Sequence, residues 1–265
     1  MAAPTYLHST ALTHTLLPFL RPLSRRAGSF TPSSRGHKLA VRPVLAQARR
    51  SSSPVAKVEQ VASPSDLLFK GPLEIIKYPD PILRAKNKRV ASFDENLKRL
   101  VDEMFDIMYI TDGMGLSAPQ VGINVQLMVF NPAGERGTGE EIVLVNPQIK
   151  RYSRKIVPFE EGCLSFPNIY ADVKRPDSLK VDAQDVKGAR FEMNLTGLVA
   201  RVFQHEYDHL QGVLFFDRMG DEVLETIRAQ LQALEKEYEK RTGLESPEKI
   251  EAREIRKKAV GFGKS

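Results

Sequence analysis

The chain of 265 residues has a single cysteine, no tryptophan, and no aspartate or glutamate before Glu59. One cysteine, Cys163, excludes an intrachain disulfide and fits a reducing compartment. No stretch approaches the ~18 consecutive apolar residues of a membrane-spanning helix, yet an apolar share of 42% suffices for a packed core. Histidine is scarce too. Of five, His8, His14 and His37 precede residue 59. The remainder of the chain therefore offers only Cys163, His205 and His209 as thiolate or imidazole ligands.

The acid-free start carries nine basic residues (Arg21, Arg25, Arg26, Arg35, Lys38, Arg42, Arg49, Arg50 and Lys57) and abundant Ser and Thr. This composition is that of an organelle transit peptide, expected over residues 1–58, with cleavage in the Arg49–Val61 region. A secretory signal fits poorly, because nothing basic precedes the apolar stretch Ala11–Leu20. Removing the nine charges from the total of +6 leaves residues 59–265 at −3. The basic balance belongs to the leader, so the body has no footprint for a direct nucleic-acid site.

After a linker over 59–72, the body is expected over 73–219. Turn chemistry stands at Tyr78-Pro79-Asp80-Pro81. Ser92-Phe93-Asp94-Glu95 predicts a capping box, with Ser92 as cap, opening a helix whose stripe is Leu97, Leu100, Val101, Met104, Phe105 and Met108. Gly113 and Gly115 end it. Ile123, Val125, Leu127 and Val129 alternate as in a half-buried strand, and Ile142–Val145 predicts its partner across a glycine-rich hairpin, Ala133–Glu140. Further strands are expected at Tyr170–Lys174, Leu179–Ala183, Phe191–Leu195 and Val213–Phe216. A helix is expected from Thr196, as N-cap, to Gly212. Asp221 predicts the cap of a C-terminal helix over 220–243. Its apolar seam (Leu224, Ile227, Leu231, Leu234, Tyr238) suits packing on the body, or else on a partner helix in a homodimer. Residues 244–265 read as a charged, flexible tail. The fold class is α+β: small antiparallel sheets around a central helix, with an added C-terminal helix.

The central helix carries Gln204-His205-Glu206-Tyr207-Asp208-His209. Helical spacing puts His205 and His209 on one face, one turn apart, able to grip one divalent metal beside Glu206 as a proton carrier. A catalytic site of this kind needs a third ligand and one open position. Downstream acids (Asp217, Asp221, Glu222) and Cys163 both remain open by residue type, so an endopeptidase reading competes with others. It predicts that Cys163→Ala keeps metal and activity.

Gly113-Met114-Gly115-Leu116-Ser117-Ala118-Pro119-Gln120, Glu161-Gly162-Cys163-Leu164-Ser165 and Gln204–His209 resemble, in order, the three motifs of peptide deformylases. The resemblance spans roughly Leu73–Met219 and, with the leader, is to the plant organellar form that is similar to bacterial ones. Ser117 departs from the family, where many relatives have Ala. The resemblance implies removal of the formyl group from the formyl-methionine of nascent polypeptides in the chloroplast stroma, with the mitochondrion as a second address. It implies a metal on Cys163, His205 and His209. Fe²⁺ follows from the family alone, while the ligand set by itself suits Zn²⁺. Glu206 would move the proton, and the Gln120 amide and the Leu164 backbone N–H would stabilise the oxyanion. Gly115 and Gly162 would let the substrate backbone lie close as an added strand. Met114, Phe159, Leu198 and Val202 would line the methionine pocket. Asp208 points away from the ligand face by helical spacing, and the family suggests its ion pair with Arg175. A metal-binding or ribosome-docking protein without catalysis is the contrasting reading, which Glu206 and Gln120 argue against. The C-terminal segment would touch the organellar ribosome.

Overall fold

The computed structural model describes residues 42–43 and 60–252. The expected leader therefore lies outside the described residues except for a two-residue strand β1 (Arg42–Pro43), and so does the tail from residue 253. The first helix, α1 (Glu95–Ile110), is capped by Asp94 and not by Ser92. The Asp94 carboxylate accepts from the backbone N–H groups of Asn96 (3.0 Å) and Leu97 (3.2 Å), which the shorter-range geometry of the adjacent acid allows. All six residues of the predicted stripe are buried.

Five further strands build one antiparallel sheet with β1: β2 (Gly115–Ser117), β3 (Leu127–Phe130), β4 (Ile142–Tyr152), β7 (Ser178–Gln184) and β8 (Arg190–Thr196), in the order β1-β8-β7-β4-β3-β2. Two more, β5 (Ile156–Cys163) and β6 (Phe166–Pro176), pair with each other. The strand predicted from Ile123 is shorter and buried on both faces, not half-buried. Leu127 and Val129 join the cluster under α1, while Met128 and Phe130 join the cluster under the central helix. β4 runs seven residues past the predicted Val145 to Tyr152, because β7 pairs along its second half. β5 lies where the sequence pattern predicts no strand. Pro158, Glu160, Glu161 and Gly162 are poor strand formers, and pairing with β6 along the whole length overrides them.

The central helix α2 (Gly197–Leu210) follows Thr196 as expected and contacts β2 and β3 on one sheet and β6 of the other. It is thus enclosed by both sheets. Residues Val213–Phe216 do not form the predicted strand; Phe215–Arg218 is a one-turn helix. A strand would send Phe215 and Phe216 to opposite faces. Both instead enter one aromatic cluster, with ring centroids 5.0 Å and 5.7 Å from Phe166.

The last long helix, α3 (Asp221–Thr242), has Gly220 rather than Asp221 at its N-cap. Its seam residues are buried against the body's own β6 cluster. The expected tail is anchored as far as Ala252: Ile250 is buried, its N–H bonds Glu235 (2.8 Å), and Glu248 pairs with Arg84 (2.6 Å). The expected linker packs as well, with Leu67 buried under α1.

Candidate metal centre

Helical periodicity brings the two histidines of α2 together, with ring centroids 5.2 Å apart. Strand β5 ends on Cys163, whose Sγ lies 3.2 Å from His209 Nε2. The three ligand atoms all lie within 4.8 Å of one another, and all three residues are buried. Among the open alternatives for a third ligand, Cys163 is therefore the one at hand. Asp217 is turned away, onto Arg84.

The chemistry of the donors fits a divalent cation. Burial opposes charge on His205, but the Cys163 sulfur and the Glu161 carboxylate outweigh it, holding the ring's proton affinity well above the usual histidine range. Burial and the neighbouring His205 push His209 the other way. The pocket thus brings one sulfur and two imidazoles together as donors. A divalent ion of soft or borderline character matches that donor set.

Behind the ligands stands a network of which only the Arg175–Asp208 pair is expected from the sequence. Glu161, two residues before Cys163 on the same strand face, accepts from His205 Nδ1 (3.0 Å), Arg175 Nε (2.7 Å), Arg175 Nη2 (2.9 Å) and Arg201 Nη1 (2.6 Å). These partners hold its carboxyl well below the usual range despite burial. Binding Nδ1 fixes the imidazole so that Nε2 faces the pocket. Arg201 also donates to the carbonyls of Val157 and Val173, tying α2 to both strands of the hairpin. Arg175 reaches Asp208 at 2.6 Å, and Arg218 bonds Asp208 from the solvent side (3.0 Å). With β5 known, strand alternation points to Glu161, an acid two residues before a buried ligand.

Glu206 lies beside the ligands, fully enclosed. Burial raises its carboxyl to about 7, against the opposing pull of His205 and a hydrogen bond with Ser117. Its Oε2 has no hydrogen-bond partner among the described residues, nor has His209 Nδ1. Gln120 enters from the one-turn helix Ala118–Val121, with Nε2 directed at Cys163 Sγ (3.5 Å) and Ser165 Oγ (3.4 Å). Leu164 follows Cys163 in the turn between β5 and β6.

The two expected close-approach glycines, Gly115 and Gly162, each stand against one of the protein's own side chains. A Cβ at Gly115 would meet Glu206 Oε1 at 2.7 Å and Val202 Cγ1 at 2.8 Å, so Gly115 lets β2 approach α2. A Cβ at Gly162 would meet the Tyr170 ring at 2.7 Å. Both are required by the protein's own packing before any substrate arrives. Val202 and Leu198 stand one and two turns before Glu206 on its helix face, Val202 buried and Leu198 37% exposed. Met114 packs beside the α2 cluster, whereas Phe159 lies under the Arg201 guanidinium, 5.3 Å from its ring centroid.

Comparison with known proteins agrees with this geometry. The family model described as polypeptide deformylase matches residues 72–224. A chloroplastic peptide deformylase 1B of Solanum lycopersicum is 62% identical, over 100% of this chain and 99% of the relative. The chloroplastic/mitochondrial peptide deformylase 1B of Arabidopsis thaliana is 59% identical, over 98% and 97%. A crystal structure of a variant of that Arabidopsis enzyme is 71% identical, with TM-score 0.68, covering 68% of this chain and 99% of the other.

Proposed function

Since the chain belongs to the polypeptide deformylase family, we propose that it removes the formyl group from the N-terminal formyl-methionine of newly made organellar proteins. The observation that carries this reading is the convergence of Cys163, His205 and His209, with Glu206 enclosed beside them. A divalent ion held by those three residues supplies Lewis-acid polarisation and lowers the pKa of water.

The chain's own groups do the rest. Glu206, with a carboxyl near neutrality, withdraws a proton from the attacking water as it adds to the formyl carbon. The same carboxyl returns that proton to the amine nitrogen as the carbon–nitrogen bond breaks, releasing formate and a free methionyl terminus. Gln120 Nε2 and the Leu164 N–H donate to the oxygen on which charge develops, each worth ~10²–10³ in turnover. Val202 and Leu198, with Met114, form the apolar wall for the methionine side chain. Phe159, covered by Arg201, contributes its edge. Gly115 and Gly162 keep the strands low beside the site so that the substrate backbone can lie against them.

Fe²⁺ is the ion we assign, on family grounds; the donor set alone accepts Zn²⁺. The chloroplast is the compartment, in line with the named relatives, with the mitochondrion as a second destination. Contact with the ribosome is assigned to the end of the chain. Residues 253–265 carry Arg253, Arg256, Lys257, Lys258 and Lys264 against the single acid Glu254, a balance suited to an anionic surface. Loss of cosedimentation with ribosomes on deleting that segment is expected, and unchanged cosedimentation removes the assignment.

The direct test is anaerobic formate release from a formyl-methionyl tripeptide by the iron-loaded protein, with the acetyl-methionyl peptide as control. Formate release with no acetate release is expected. Failure on the formyl peptide with both iron and zinc overturns the function.

A further inference from the structure

Gln120 is held very unequally at its two ends. Its Oε1 accepts from one residue, Ser117, at two atoms: the backbone N–H at 2.9 Å and the hydroxyl at 2.8 Å, a hydroxyl that Ser117 also shares with Glu206. Its Nε2 has only long contacts, 3.5 Å to Cys163 Sγ and 3.4 Å to Ser165 Oγ. Ser117 and Gln120 are both buried, and the Gln120 backbone is fixed separately, its carbonyl accepting from Ile76 N–H at 2.8 Å. Ser117 itself stands on rigid backbone, paired with Met128 across β2 and β3.

We propose that Ser117 is a positioning residue: its hydroxyl and N–H together clamp the carboxamide oxygen of Gln120, so that the amide nitrogen is presented, unclaimed by any short bond, to the substrate oxygen. A flipped amide would set NH₂ against the Ser117 N–H and its oxygen against the Cys163 sulfur, donor against donor and acceptor against acceptor. The backbone N–H selects the orientation. The hydroxyl adds the second bond that stops the amide plane from swinging, which is the preorganisation an oxyanion donor needs. This inference rests on the reading of Gln120 as such a donor.

A double-mutant cycle in the metal-loaded enzyme decides it. Ser117→Ala is expected to lower kcat about three- to tenfold, the range one buried hydrogen bond commands, with KM within about twofold. The same substitution in Gln120→Ala and Gln120→Glu backgrounds is expected to change kcat no further, because neither side chain presents the donor. A merely structural serine would lower activity in every background. An undiminished kcat in Ser117→Ala overturns the proposal, and so does an equal loss in the Gln120 backgrounds, which would place the hydroxyl's effect elsewhere, on Glu206. Should Gln120→Ala itself retain full turnover, the oxyanion reading falls and the proposal with it. A normal loss in Gln120→Ala with a silent Ser117→Ala overturns the proposal alone.

Discussion

The two faces of α2 treat their polar groups in opposite ways. On the face towards β5, the Glu161–Arg175–Asp208 network has both oxygens of each carboxylate engaged, with Arg201 and Arg218 adding further bonds. On the face towards β2, Glu206 Oε2 lies buried without a partner among the described residues, and at the ligand cluster so does His209 Nδ1. An unpartnered buried polar atom typically costs ~1–3 kcal/mol, a satisfied one far less. The helix therefore concentrates its unfavourable terms where chemistry happens and its favourable ones where the ligands are aimed. One face is a frame, and the other is a reaction site that the frame holds open.

The sharpest way to separate the faces is to neutralise one carboxylate on each. Glu206→Gln keeps the shape and removes the proton carrier. Turnover is expected to fall by ~10²–10⁴, while metal content by elemental analysis stays at the wild-type level. Loss of metal along with activity would merge the two faces and defeat the distinction. Glu161→Gln should do the reverse. It strips the shared charge from Arg175 and Arg201 and loosens His205, so folding stability should drop by ~3–5 kcal/mol. Metal affinity should weaken ~10–100-fold. Chemical denaturation and a chelator competition measure the two effects. An unaltered midpoint would show that the network is not a frame.

A pH series tests the reaction face in another way. Because burial raises Glu206 to about 7, its base form is gained as pH rises through that value, and kcat/KM should climb across it. Stability in the metal-free protein should run the other way. The folded state holds the Glu206 proton more tightly than the unfolded chain does, so the group costs stability as pH rises from its ordinary value of 4.5 to about 7. Glu206→Gln removes that cost. Its melting temperature should gain on the wild type over this window, and a constant difference would remove Glu206 as the raised group.

These faces were unequally legible in the sequence. Period-3.6 reasoning placed His205 and His209 together and turned Asp208 away, because side-chain direction along a helix follows from spacing alone. Cys163 could not be reached that way. Its partnership depends on β5 ending beside α2, and β5 is masked by Pro158 and Gly162, whose local preference loses to pairing with β6. Glu161 has no role legible in its motif, since its four bonds come from β6 and α2 and exist only once those elements pack on β5. Close approach at Gly115 and Gly162 is legible from residue type, but the neighbours inside the fold, Glu206 and Tyr170, are set by packing between elements. Val213–Phe216 failed for a related reason. A four-residue apolar run has no length to choose strand over helix, and the Phe166 cluster chose.

The smallest expected effect probes where the frame meets water. Asp208 is enclosed between Arg175, which is buried, and Arg218, whose side chain is 47% exposed. Arg218→Ala leaves the carboxylate its buried partner at 2.6 Å and opens its other oxygen to solvent. The exposed pair is screened, so the loss should be no more than ~1 kcal/mol. It should shrink further in ~1 M salt, where the Debye length falls to ~3 Å. Replacing Arg175 by Met, on the same carboxylate, should cost several times more at every salt concentration, because it takes a buried cation from Glu161 and Asp208 together. If the two substitutions prove equal in urea denaturation, burial is not what distinguishes the frame, and the contrast between the faces of α2 reduces to the chemistry of Glu206 alone.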